Sequence, residues 1–168
     1  RYERQVLAGT TKGVYTVENG QARQVLKSRG VRELTHIRRR WFAGTGAGVH
    51  VSDDGGERWE LAGLADHEVW QVRADRDGVI YVATQPAGLF RSTDGGHSWR
   101  ELEAFSQAPE ADEWCVPVEP SLPGRARALV IDAEDPRRIW VGVEVGGIMR
   151  TEDGGDTWTL GLPGNNPD

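Results

Sequence analysis

The chain has 168 residues, 22 of them glycine and seven tryptophan, enough for one ordinary domain with a core of its own. Its formal net charge of −6 argues against a nucleic-acid partner, whose phosphates require a basic face. Cys115 is the only cysteine, so no internal disulfide and no thiolate metal site can form, and no metal or cofactor is expected.

No apolar run approaches the width of a bilayer, and no secretory leader precedes the first strand. With one cysteine, this favours a soluble protein in the cytoplasm, although a chain starting at Arg1 leaves a longer N-terminus open. In chain order the first segment, 1–30, carries Leu7-Ala8-Gly9-Thr10-Thr11-Lys12-Gly13-Val14-Tyr15. It aligns over Phe42-Ala43-Gly44-Thr45-Gly46-Ala47-Gly48-Val49-His50 of the second segment, 31–65. The second segment reads as four short strands at 34–38, 41–44, 49–52 and 58–61, parted by Gly-rich or charged turns. The third, 66–103, repeats them at 69–74, 79–84, 89–92 and 98–102. The last, 125–162, does so at 127–132, 138–143, 148–151 and 157–160. Residues 1–5 leave little room for a first strand, so the first segment is an incomplete repeat, and 162–168 read as a turn leading onward. Between the third and last repeats, 104–124 hold Pro109, Pro117, Pro120 and Pro123, a density that argues for a long loop rather than a regular helix or central strand.

Three segments share one formula: Ser52-Asp53-Asp54-Gly55-Gly56-Glu57-Arg58-Trp59, Ser92-Thr93-Asp94-Gly95-Gly96-His97-Ser98-Trp99 and Thr151-Glu152-Asp153-Gly154-Gly155-Asp156-Thr157-Trp158. Asp-Gly between apolar runs signals a hairpin: glycine supplies positive φ and the carboxylate accepts N–H groups of the turn. Each copy should join two antiparallel strands, with the Trp buried on the return strand as the anchor. The first segment has Asn19-Gly20 and Gln24 instead. Ala8, Ala43, Ala83 and Gly142 are expected at one register position, where a neighbouring sheet comes too close for a large side chain.

The formula resembles the Asp-box, or BNR repeat, of sialidase-like and WD40/YVTN-like propellers, including the photosystem II assembly factor and xyloglucanase groups. The resemblance implies an all-β fold: a β-propeller of four-stranded antiparallel blades with Asp-box hairpins at the periphery. Propellers have about four to eight blades, so the chain reads as the N-terminal part of a larger one, completed by the same or a second chain.

With strands alternating in direction, the Asp-Gly hairpins share one end and the loops that carry function share the other. Thr10, Thr45, Gln85 and Glu144 are expected there as equivalent positions at the exit of the second strand, with Lys12 close by. Arg29, Arg32, Asp66, His67, Glu68, Trp70 and Arg127 join them from the loops between repeats, and Asp112, Glu113 and Trp114 from the insertion. Lys12, Thr45, His67, Gln85, Trp114 and Glu144 are the ligand-binding candidates. Glu144 and Glu68 are the candidate pair for glycoside hydrolysis, which needs two carboxylates about 5 to 9 Å apart. Of the features the sialidase resemblance implies, an Arg-Ile-Pro motif, an arginine triad and a Tyr-Glu pair, none is identifiable, and there is no phosphate loop with Lys-Ser/Thr and no Gly-x-Ser-x-Gly elbow. The reading is therefore a non-enzymatic module binding a protein or carbohydrate ligand, with a sialidase-like or xyloglucanase-like glycoside hydrolase as the alternative.

Overall fold

The computed structural model describes residues 5–162; the expectations for residues 1–4 and for the onward turn at 163–168 lie outside them. Two compact units divide between Val69 and Trp70. The first holds a three-stranded sheet, β1 (Val6–Thr10), β2 (Gly13–Glu18) and β3 (Gln21–Lys27). It also holds a four-stranded sheet, β4 (Glu33–Ile37), β5 (Arg40–Thr45), β6 (Gly48–Ser52) and β7 (Glu60–Gly63). The third sheet consists of β8 (Glu68–Ala74), β9 (Ile80–Gln85), β10 (Gly88–Ser92) and β11 (Arg100–Glu101). The insertion follows, with a helical turn α1 (Glu103–Ser106), a 3-10 turn (Pro109–Glu113) and a small hairpin of β12 (Cys115–Val116) and β13 (Leu122–Pro123). The last sheet is β14 (Ala126–Ile131), β15 (Ile139–Val143), β16 (Gly147–Thr151) and β17 (Thr159–Leu162). Strands that follow one another in these sheets pair antiparallel, so each sheet is a meander in chain order.

Burial explains which strands are apolar throughout. In β9 every residue from Ile80 to Thr84 is buried, as expected of a strand covered on both faces. By contrast β3, at a sheet edge, exposes Gln21, Ala22, Arg23 and Gln24 and carries the charge that blunts an edge. Phe42 and Val49 are at most 1 % exposed in the first unit. Tyr81, Leu89, Leu129 and Met149 centre the core of the second.

The small-residue register is real but falls elsewhere than the sequence alignment puts it. Thr10 pairs with Gly13, Thr45 with Gly48, Thr84 with Gly88 and Val143 with Gly147, so the preceding small residues are Gly9, Gly44, Ala83 and Gly142. Ala8 and Ala43 therefore belong one position earlier. A Cβ on Gly9 would come within 2.7 Å of the Val31 side chain, which is the close approach the position serves. The cause of the slip is turn length: two residues separate Thr45 from Gly48, and three separate Thr84 from Gly88.

The three Asp-Gly-Gly segments form one structure. Ser92 Oγ donates to Asp94 Oδ1 (2.7 Å) and accepts the Gly96 N–H (2.8 Å), while Asp94 Oδ1 accepts the N–H groups of His97 (3.0 Å) and Ser98 (2.9 Å). Ser52 with Asp54 and Thr151 with Asp153 repeat the arrangement. Both glycines are left-handed, Gly95 at φ 75° and Gly96 at φ 93°, so these are longer turns than an Asp-Gly dipeptide hairpin. The hydroxyl residues are the buried part: Ser52, Ser92 and Thr151 are at most 2 % exposed. Trp59, Trp99 and Trp158 are only partly buried and stand just before the return strand. Their anchor is polar as well as apolar, since Trp59 Nε1 donates to Gly56 O (2.9 Å) and Trp158 Nε1 to Gly155 O (3.1 Å).

Donors to the turn carboxylates stabilise the ionised form. The Arg58 N–H and guanidinium hold Asp54 at about 2. The Ser98 hydroxyl, with Ser92, holds Asp94 well below the usual carboxylate range, and the Thr157 hydroxyl does the same for Asp153. For a depressed carboxylate, the stabilisation is complete above the unfolded pKa and lost as pH falls through the folded one. The difference in urea midpoint between the protein and its Asp54→Asn variant will stay constant from pH 7 to about 4 and shrink between about 4 and about 2. A difference already gone at pH 5 would contradict the turn geometry.

The insertion is not the plain loop its prolines suggest. Phe105, on α1, is fully buried, Trp114 is 7 % exposed, and their ring centroids lie 4.9 Å apart. Phe105 also meets Trp158 edge-on at 5.1 Å. Pro109 opens the 3-10 turn, where a missing N–H is harmless.

Candidate functional site

Alternation of strand direction puts the start of β8, the end of β9, the start of β14 and the end of β15 at the strand ends opposite the Asp-Gly-Gly turns. The candidates converge there in the second unit. Arg125 lies at the centre: its Nε donates to Gln85 Oε1 (3.1 Å) and its Nη1 to Glu144 Oε2 (3.1 Å). Arg127 Nη1 donates to the other Glu144 oxygen (3.3 Å), and Gln85 Nε2 donates to Pro123 O (3.0 Å). Both guanidinium groups lie over Trp70, Arg127 at 4.9 Å and Arg125 at 5.5 Å from the ring centroid, within cation–π range. Arg127 is 51 % exposed and Arg125 24 %, so the outer guanidinium faces solvent while the inner one positions its neighbours. Two cations and one carboxylate leave a positive charge beside an indole, which suits an extended chain carrying carbonyls or carboxylates.

The structure thus joins Gln85 and Glu144 to Arg127 and Trp70, but not as repeat equivalents of Thr10 and Thr45. Gln85 ends β9, and Glu144 lies one residue past β15. Arg125 was missed by sequence reasoning. Its signal was alternation at a strand start, Arg125 and Arg127 flanking the buried Ala126.

The remaining candidates have other partners. Thr45 is fully buried, and its hydroxyl closes the β5–β6 turn by donating to Gly48 O (3.0 Å) and accepting the Ala47 N–H (3.0 Å). Trp114 belongs to the core of the second unit rather than to a ligand platform. In the first unit, His67 Nδ1 is 3.0 Å from Asp66, and Glu68 accepts from Arg32 at 2.7 Å. Lys12 is exposed beside an open cleft. Arg40, at the other strand ends, is held by Asp53 through two hydrogen bonds of 2.5 and 2.9 Å. Among the described residues no group of three or more His, Cys, Asp or Glu is placed to hold a metal ion, and no helix is long and apolar enough to cross a membrane.

This is the fold of a BNR-type β-propeller. The chain belongs to the family described as photosynthesis system II assembly factor YCF48, whose model matches residues 30–162. A curated relative, the photosystem II assembly lipoprotein Ycf48 of Synechococcus sp. (strain CC9902), is 29% identical over 122 residues, covering 70% of this chain and 32% of the relative. The chain therefore spans about a third of that relative's length. Among solved structures, the GH74 xyloglucanase from Xanthomonas campestris superposes with a TM-score of 0.74 at 20% identity, covering 96% of this chain and 29% of that one. A YCF48 bound to D1 peptide superposes with a TM-score of 0.57 at 16% identity, covering 94% of this chain and 49% of that one. The cytoplasmic placement favoured by the single cysteine and the lack of a visible leader is corrected by the curated relatives of Synechococcus and Synechocystis, both named photosystem II assembly lipoprotein Ycf48.

Proposed function

We propose that this chain is a protein-binding part of an assembly factor and that an extended segment of its partner lies across Trp70, Arg125, Arg127, Gln85 and Glu144. The observation that carries this reading is the half-exposed Arg127 guanidinium, stacked over Trp70 and tied to Glu144 by a single hydrogen bond. It retains donors for a partner's carbonyl or carboxylate groups, and stacking fixes its plane at little entropic cost. Membership of the assembly-factor family and a relative that holds a D1 peptide support a peptide as the ligand. The three turns are read as Asp-boxes, structural pegs at the strand ends away from this site.

Glycoside hydrolysis is the second reading, favoured by the fold shared with a xyloglucanase. It is the weaker one because both Glu144 oxygens accept from arginines, and Glu68 is already engaged by Arg32. A general acid needs a carboxyl oxygen free to hold and deliver its proton.

Calorimetric titration of a D1 peptide tests the binding reading. Arg127→Ala should weaken binding roughly tenfold or more, as for an interface arginine anchor, whereas Arg40→Ala at the opposite strand ends should not change it. Equal affinity in both variants overturns the assignment, and xyloglucan turnover that is lost in Glu144→Gln establishes the alternative.

A further inference from the structure

The two units finish the same groove differently. In the first, an open cleft of about 710 Å³ is lined by Tyr15 with Gln24, a register pair of β2 and β3, and by His50 with Leu61, a register pair of β6 and β7. Ala47, in the β5–β6 turn, completes the wall. The register counterparts in the second unit are Phe90 with Glu101 and Met149 with Leu160. There the chain covers the groove with its own insertion: α1 lies on β10, and Phe105 and Trp114 share a core with Met149. The Trp114 ring abuts Gly146, in the turn that corresponds to the one holding Ala47; a Cβ on Gly146 would lie 2.7 Å from Trp114 Nε1. The covering segment, Glu101 to Trp114, is acidic around its two rings, with Glu101, Glu103, Glu110, Asp112 and Glu113.

The first unit has no such insertion, since five residues separate β3 from β4. Its cleft keeps an apolar lip, with Leu61 53 % exposed. Lys12, Lys27 and Arg29 stand around it, and no carboxylate is among its lining residues, in a chain whose net charge is −6. The volume is in the range that encloses a bulky side chain or small ligand, about 300 to 1,000 Å³. Apolar walls under a cationic rim are complementary to an acidic segment carrying a ring.

We propose that this cleft is a second docking site, which takes an acidic segment of a partner protein and receives one aromatic side chain where the other unit receives Phe105 and Trp114. The covered groove shows the kind of segment that fits, and the rim charges replace what covalent connection supplies in the second unit. The site is independent of the Trp70 and Arg127 cluster.

A fluorescein-labelled synthetic peptide with the sequence of Glu101 to Trp114 is the probe, titrated into the full chain by fluorescence anisotropy. Saturable binding is expected, weakened about tenfold or more by the exposed charge reversals Lys12→Glu and Lys27→Glu together, and again by Leu61→Glu. Added salt should weaken it, and a probe in which alanine replaces both Phe105 and Trp114 should bind at least about tenfold more weakly. Circular dichroism of each variant establishes that the fold is kept. No saturable binding, or binding unchanged by the Lys12 and Lys27 reversals, overturns the proposal. Loss of binding in Arg127→Ala with the lysine variants unaffected also overturns it, moves the peptide to the other cluster and leaves the reading of that cluster standing.

Discussion

Replacing Phe105 with alanine will destabilise the second unit by roughly 3 to 5 kcal/mol, the cost of removing a fully buried ring and leaving a cavity. Phe105 has no exposed surface and contacts the rings of both Trp114 and Trp158. Collapse to fill the void is restrained on both sides, because only Leu102 separates β11 from α1 and Trp114 is fixed by the Gly124 N–H bonding to its carbonyl at 2.8 Å. Trp99→Ala should cost less, since that indole is only partly buried. Urea denaturation followed by tryptophan emission gives both values. A Phe105→Ala loss below about 1 kcal/mol would mean that the insertion lies on the sheet as a detachable loop. Removal of 108–123 should likewise lower thermal stability, because it deletes Trp114 from the core.

Gly155→Ala and Gly154→Ala will differ although the two residues are adjacent in one turn and both left-handed, at φ 101° and 79°. A Cβ on Gly154 meets nothing within 4 Å, whereas one on Gly155 comes within 2.8 Å of Leu102 Cδ1. Both substitutions incur backbone strain, of order 1–3 kcal/mol. Gly155→Ala adds the cost of displacing a buried leucine, so its total should reach roughly 2 to 5 kcal/mol. Equal losses would show that the second glycine serves conformation alone. A larger loss at Gly155 shows that it also marks where the turn seats on the core.

The turns were legible because their chemistry is local. A hydroxyl, an aspartate and two glycines at fixed spacing specify the hydrogen bonds and the positive φ angles without reference to the rest of the chain. The four-strand meander was legible for the same reason, through apolar runs between turn residues. Two things were not. Gln85 and Glu144 aligned with Thr10 and Thr45 only while the turn lengths were taken as equal, and one extra residue before Gly88 is visible only in the pairing. The insertion was misread because proline density speaks about regular backbone and is silent on burial. Nothing in the residues 104–124 alone shows whether Phe105 and Trp114 point into a core or out to a ligand. Arg125 escaped notice because its importance is relational, arising where Gln85 and Glu144 come within reach from other strands.

The bonds that close each Asp-Gly-Gly turn join residues no more than four positions apart. Closing so short a segment entails little loss of chain entropy, and contacts of low sequence separation form early. Each turn can therefore close from its own residues, without waiting for strands far along the chain to pair. The long-range part of folding is then left to the docking of one sheet on the next, as where Leu102 seats against Gly155.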